Sequence, residues 1–232
     1  MKIEFSCLPG YEPYLPKPRL ASGALPDWLK AMPSTATSEV LAGAEVRTVK
    51  QCPPFIDAMR SGIVFPLATD LIVADGEFSW DWDLPTHLAA RMTRSPIGVH
   101  VPEQADGFPG APDGQMVIKF TNFWTVRLPK GWSMLFTHPV NRFDLPFRTL
   151  TGQVDCDGWS DGFVHFPAVW SDPDFSGTLA AGTPVAQGFP VLRETLELDF
   201  GEMGEAALAR HLEVQDALQA DSGHYRKIFR KT

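Results

Sequence analysis

Cysteine is scarce: the 232 residues hold only Cys7, Cys52 and Cys156, odd in number and widely spaced. No pair has metal-ligand spacing such as C-x-x-C, and the set is too sparse for a disulfide framework. Packed free thiols are the expectation. The opening MKIEFSCLPG has no apolar stretch of the secretory kind, and no run approaches the roughly 20 apolar residues of a membrane-crossing helix. A cytoplasmic protein with no membrane partner is expected. Basic residues are also few, 20 Lys and Arg against 28 Asp and Glu, for a formal charge of -8. Nucleic-acid binding wants basic surface that displaces counterions. Nucleic acid is therefore not an expected partner, except through the basic C-terminal tail. The chain lacks a P-loop, a dinucleotide fingerprint and a G-x-S-x-G elbow, which disfavours NTPase, Rossmann and serine-hydrolase chemistry.

What is plentiful is proline, glycine and tryptophan, at 21, 19 and 7 residues. Proline sits badly inside helices and central strands, so its even scatter implies many short elements and excludes a helix bundle. Residues 1–44 read as an extended N-terminal strap, proline-rich in YEPYLPKPRL, with one helical turn at LPDWLKAMP. Residues 45–200 read as a β core. EVRTVK, IVFPLATDLIVADG and FSWDWDL alternate or run apolar in strand fashion, with Pro66 marking an edge or a bulge. QMVIKFTNFWTVRLP, KGWSMLFTHPVNRF, GFVHFPAVW, TPVAQGFPVLRE and ETLELDF continue the series. Residues 100–114, with three prolines and three glycines, read as a long surface loop. Residues 201–232 give a helix with Leu208, Leu212 and Leu218 near one face, then a basic tail. One domain spanning 1–232 is expected: an all-β barrel or sandwich with a helical cap.

Several residues carry candidate chemistry. Asp155 and Asp157 lie two apart. On a strand they would share a face for general-base work or a hard cation; in a turn they would bond nearby amides. His138 and His165 could approach across strands, and with Asp155 they make a three-ligand metal site for a metal-dependent oxygenase or hydrolase. A divalent metal is thus one possible cofactor. His211 and Glu213 form the one H-x-E pair, in the terminal helix without a distant partner. Cys52 would need a placed histidine to act as a nucleophile. Trp159, beside Asp157, is the tryptophan chosen to stack on a planar ligand. Arg226, Lys227, Arg230 and Lys231 with Tyr225 and Phe229 make the tail a candidate contact for nucleic acid or another protomer.

Two resemblances follow. LPDWLKAMP, TVKQCPPFIDAM, VIKFTNFWTV, LPKGWSMLF, LTGQVDCDGW and GTPVAQGFPVLRE, in that order, resemble an uncharacterised family of phage and bacterial proteins, which implies no activity. ATDLIVADGE, LPKGWSMLFTHPVNR, GQVDCDGW and GTPVAQ, within residues 63 to 193, resemble the motifs of the dUTPase-like β-clip. That resemblance implies that Asp155 activates water and helps bind a sugar, and that Gln187 holds phosphates. It also implies a homo-oligomer with pockets between chains. The match is incomplete: HPVNR stands where the phosphate-holding serine motif belongs, leaving Arg142 for charge. Gly158 and Trp159 replace Tyr and Arg, and the glycine-rich closing motif is missing.

The leading expectation is a β-clip-like domain that binds a small anionic or nucleotide-like ligand where the 138–142 turn, the 152–159 turn and the 182–187 strand meet. Asp155 would be the catalytic base if hydrolysis occurs, with Arg142, Asp157, Trp159 and Gln187 binding the ligand. A phage-type structural or interaction protein is the third possibility.

Overall fold

The protein is described by a computed structural model for residues 1–86, 93–111, 115–221 and 223–230. Part of the expected 100–114 loop, and Lys231 of the tail, lie outside the described residues. In chain order the elements are β1 Glu4–Ser6, β2 Arg19–Leu20, α1 Asp27–Ala31, β3 Thr35–Ser38, β4 Ala44–Arg47, α2 Pro53–Arg60, β5 Ile63–Pro66, β6 Leu71–Ala74 and β7 Glu77–Ser79. There follow β8 Ile97–Val99, β9 Val117–Phe120, β10 Thr125–Arg127, β11 Trp132–Thr137, β12 Phe147–Thr149, β13 Gly152–Val154, β14 Phe166–Trp170, β15 Gly177–Leu179, β16 Pro184–Leu192 and α3 Glu205–Ala220. The fold is all-β with one long C-terminal helix.

Two compact units emerge. The larger holds residues 1–30 and 58–193, the smaller 31–57 and 194–232. In the larger unit a five-stranded sheet runs β13-β11-β16-β5-β2 and a four-stranded sheet runs β12-β14-β9-β8. Every pairing is antiparallel. The sheets meet through rings: Phe166 of β14 lies 5.2 Å from Phe65 of β5 and 5.4 Å from Phe136 of β11, and those two rings of the larger sheet lie 5.4 Å from each other. These tilted and edge-on pairs add roughly 0.5–1.5 kcal/mol each beyond area burial. Met134, Val126, Ile118 and Ala186 complete a fully buried centre.

Local chemistry explains the turns. Asp75 and Gly76 both have positive φ, 52° and 76°, and close the β6–β7 hairpin as an Asp-Gly pair favours. Pro66 pairs with Pro184 where the β5–β16 ladder slips, so the expected bulge is there. Gly62 is obligatory for a different reason: at φ +72° an added Cβ would come 2.3 Å from the Gly188 carbonyl oxygen.

Two strand expectations are corrected. FSWDWDL forms a strand only as far as Ser79, although Leu84 still reaches the core at 1% exposure. ETLELDF forms none, and Leu196, Leu198 and Phe200 are exposed. Alternation signals a strand only when a neighbour supplies the hydrogen bonds and covers the apolar face.

The smaller unit contains the β3–β4 hairpin and α3. No residue of α3 is buried; Leu208 and Leu212 are about half exposed. The tail is partly neutralised within this unit. Lys227 bonds Asp221 at 2.7 Å, and Arg230 grips both carboxylate oxygens of Asp57.

Candidate functional site

The three expected turns do not converge. They form two polar clusters at opposite ends of β11. At its start, Asp155 and Asp157 sit in a tight turn whose Asp155 carbonyl accepts the Gly158 and Trp159 N–H groups. The Ser133 hydroxyl donates to Asp155 Oδ1 at 2.6 Å, and Arg193 Nη1 lies 3.0 Å from the same oxygen. Asp157 accepts from Arg193 Nη1 at 2.9 Å and from the Gly131 N–H at 2.8 Å. Those bonds, the Arg193 bond first, hold its carboxyl down to about 2. Asp157 is thus a turn clamp, tying the 155–159 turn to the end of β16. Arg193 is the residue sequence reasoning missed. It lies 36 positions from Asp157, and only the β11–β16 register brings it there.

Gln187 lies at the other end, opposite Thr137. Ser133 and Thr137 are four positions apart along the strand, about 13 Å, so Asp155 and Gln187 do not face a common hollow. Gln187 is 2% exposed, and its amide is fully engaged. Oε1 accepts the Val140 N–H at 2.9 Å, and Nε2 donates to the carbonyls of Ser61 at 2.6 Å and Ala58 at 3.2 Å.

His138 stands beside it. Its Nδ1 accepts the Thr149 N–H at 3.2 Å, which puts the ring proton of the neutral form on Nε2, 2.8 Å from the Arg142 carbonyl. Burial, the leading cause, pushes its pKa down. His165 is on another edge, with Nδ1 accepting the Asn122 N–H at 3.2 Å. Among the described residues no three His, Cys, Asp or Glu side chains are grouped to hold a metal ion. His138, His165 and Asp155 therefore do not form the expected ligand set, because each imidazole Nδ1 is spent on a backbone amide. Cys52 is exposed, and Cys156 is fully buried with its thiol pushed up to about 11, chiefly by burial.

Arg142 faces a cleft that sequence reasoning did not find. The cleft measures about 520 Å³ and is lined by Arg19, Trp28, Lys30, Arg142, Asp144 and Pro184, with Asp27 and the 23–26 turn. Pairing of β2 with β5 sets Arg19 opposite Val64. The Arg142 guanidinium is only 13% exposed and is locked to Asp144 by bonds of 2.8, 3.2 and 2.8 Å. Burial alone would raise the Asp144 carboxyl, but the Arg142 bonds bring it below the usual range. Trp28 Nε1 adds a bond to Asp144 at 3.2 Å, and Lys30 pairs with Asp27 at 2.7 Å. Arg19 has no partner among the described residues. Three cations thus face two carboxylates, a local positive excess on an acidic chain.

No family model matches the chain, and no curated protein matches it. Solved structures of phage enzymes do match. A mutant dUTPase from phage phi11 of Staphylococcus aureus, described with a structural Mg(II) ion, is 19% identical over 39% of this chain and 75% of its own, with a TM-score of 0.30. A mutant dUTPase of Staphylococcus bacteriophage 80alpha, with dUpNHpp, is 19% identical over 41% of this chain and 70% of its own, with a TM-score of 0.29. A further 80alpha dUTPase mutant is 15% identical over 49% of this chain and 93% of its own, with a TM-score of 0.28. These are the enzymes to which residues 63 to 193 were likened, and the likeness stands as a partial resemblance. At such TM-scores it carries no argument about what this chain does.

Proposed function

We propose that the protein binds a small anionic ligand, bearing a phosphate or a carboxylate, in the cleft between Arg19 and Arg142. The observation that supports this is the unpartnered Arg19 guanidinium lining the same cleft as Arg142, whose own position is fixed by Asp144. A held guanidinium loses little freedom on binding and offers parallel N–H groups to an oxyanion. At about 520 Å³ the cleft is in the range of small-molecule sites.

Of the expected ligand contacts, this reading keeps Arg142 and sets aside Asp155, Asp157, Trp159 and Gln187, none of which lines the cleft. It assigns no hydrolysis: no carboxylate free of a cationic partner lines the cleft to activate water. A nucleotide is the ligand chemistry suggested by the phage enzymes, one of which is described with dUpNHpp; here it ranks as one anion among those to be screened. A homo-oligomer and a cytoplasmic address belong to the same proposal. Light scattering reads the first directly, and a very large particle would favour the structural-protein alternative.

The test is a thermal-shift and calorimetric screen with orthophosphate, pyrophosphate, citrate and nucleoside triphosphates. At least one should raise the melting temperature, and Arg19→Gln should abolish the rise while leaving the unliganded protein folded. If no anion stabilises the protein, or if Arg19→Gln binds as well as the parent, the proposal fails.

A further inference from the structure

A second cleft, of about 400 Å³, is lined by Cys7, Leu8, Trp159, Asp161, Phe163 and His165 among others, and it shares no residue with the first. Backbone pairing builds it. β1 lies on β10, placing Cys7 and Leu8 just past the ladder, and Thr125 bridges to Phe163. Three features distinguish it from an ordinary dent.

First, Trp159 is presented rather than packed: it is 58% exposed, and its Nε1–H has no partner among the described residues. The ring is nonetheless placed, because it lies directly over Gly162. A Cβ there would come within 2.4 Å of the indole atoms Cε2 and Cζ2. Second, His165 is a donor of fixed polarity. With Nδ1 occupied by the Asn122 N–H, the proton of the neutral ring is on Nε2. Burial, then the Lys119 charge, lowers its pKa and keeps that form at neutral pH. No described residue bonds Nε2, and it is not among the solvent-inaccessible unpaired atoms, so water reaches it. Third, the lining carries no Lys or Arg, and its one carboxylate, Asp161, is paired with Arg127 at 2.9 Å. A charged ligand of either sign finds no counter-charge.

We infer that this cleft binds a small, planar, uncharged heteroaromatic ring carrying hydrogen-bond acceptors, stacked on the Trp159 indole with one acceptor on His165 Nε2–H. An aromatic platform together with unmatched donors selects flatness and acceptor atoms at once. A flexible aliphatic ligand would forgo the stacking, and an acceptor-free ring would leave both donors desolvated and unpaired. The site is independent of the Arg19 cleft and of the anion proposed for it.

Nicotinamide and adenine are suitable probes, and cyclohexanecarboxamide, with the same amide but no flat ring, is the control. Indole N–H resonances are followed by two-dimensional NMR, with Trp159 assigned from Trp159→Leu. Nicotinamide or adenine at millimolar concentration should shift the Trp159 resonance, and the control should not. Read from the backbone amide shifts around the cleft, Trp159→Leu should weaken binding at least about tenfold, as loss of a stacking platform does, and Trp159→Phe should recover part of it. His165→Gln, which still offers an acceptor to Asn122, should weaken binding severalfold. Orthophosphate should not displace the probe. Silence of the Trp159 resonance with both probes, equal binding of the control, or undiminished binding by Trp159→Leu would overturn the inference.

Discussion

Replacing Gln187 with methionine, nearly the same length and fully apolar, separates a structural role from a ligand-binding one. The side chain is 2% exposed and makes three hydrogen bonds: one from the Val140 N–H and two to the carbonyls of Ala58 and Ser61. Each is worth about 1 kcal/mol net, and an abandoned buried partner costs about 1–3 kcal/mol. Ser61 is exposed and its carbonyl can turn to water, which lowers the sum. Gln187→Met should therefore destabilise by about 3 kcal/mol, or roughly 6–12 °C in melting temperature for a chain of this size. Gln187→Glu gives a signed control. Its ionised carboxylate would face the Ala58 and Ser61 carbonyls, so burial and repulsion raise its folded pKa above the unfolded value. Its stability should be best at low pH, where the protonated acid can donate, and should be lost as pH rises. Urea melts at several pH values read both effects. A loss under about 1 kcal/mol for Gln187→Met, or normal stability with abolished anion binding, would refute the structural assignment and restore the expected phosphate-holding role.

Gly62→Ala should cost roughly 3 kcal/mol, because the left-handed φ is strained for alanine and the new methyl would meet the Gly188 carbonyl. An unchanged melting temperature would contradict the close approach of Gly62 to β16. Asp157 has a folded pKa of about 2 against an ordinary 3.8, so its contribution is complete above about 4 and is lost as pH falls toward 2. Asp157→Asn should flatten the stability curve across that window; a curve parallel to the parent's would sink the clamp. In the native protein at pH 8, Cys52 should react with a thiol reagent quickly and Cys156 only on unfolding, since Cys156 is fully buried with a thiol near 11. Mass spectrometry of the labelled peptides reads the order.

The β framework was legible because its signals are local. The strands from Val117 to Leu192 come from segments whose apolar residues follow the pleat, and the turns between them carry Gly or Asn where positive φ is needed, at Gly131 and Asn141. The polar clusters were less legible because each is assembled by register. Asp155 and Asp157 were open to a strand or a turn reading, and the turn prevailed once Arg193, supplied by the far end of β16, paired with both. Arg19 gave no signal at all: in the proline-rich lead it looks like a solvated charge, and only its pairing opposite Val64 sets it by Arg142. FSWDWDL and ETLELDF erred the other way, since an alternating pattern records what a strand would bury and not whether a neighbour exists.

The separation of the two polar clusters decides what chemistry the motif resemblance can lend. A hydrolytic site needs its base within hydrogen-bond reach of a water that also lies on the anion being cleaved. Here the motif aspartate bonds Ser133 near the start of β11 and the motif glutamine pairs opposite Thr137 at its end, two strand positions about 13 Å apart. The glutamine has no free donor, and the aspartate is bonded by Ser133 and Arg193. Asp157 and Gln187 each tie a turn to a neighbouring strand. Binding, in contrast, needs only a held cation and an open volume, and the Arg19–Arg142 cleft has both.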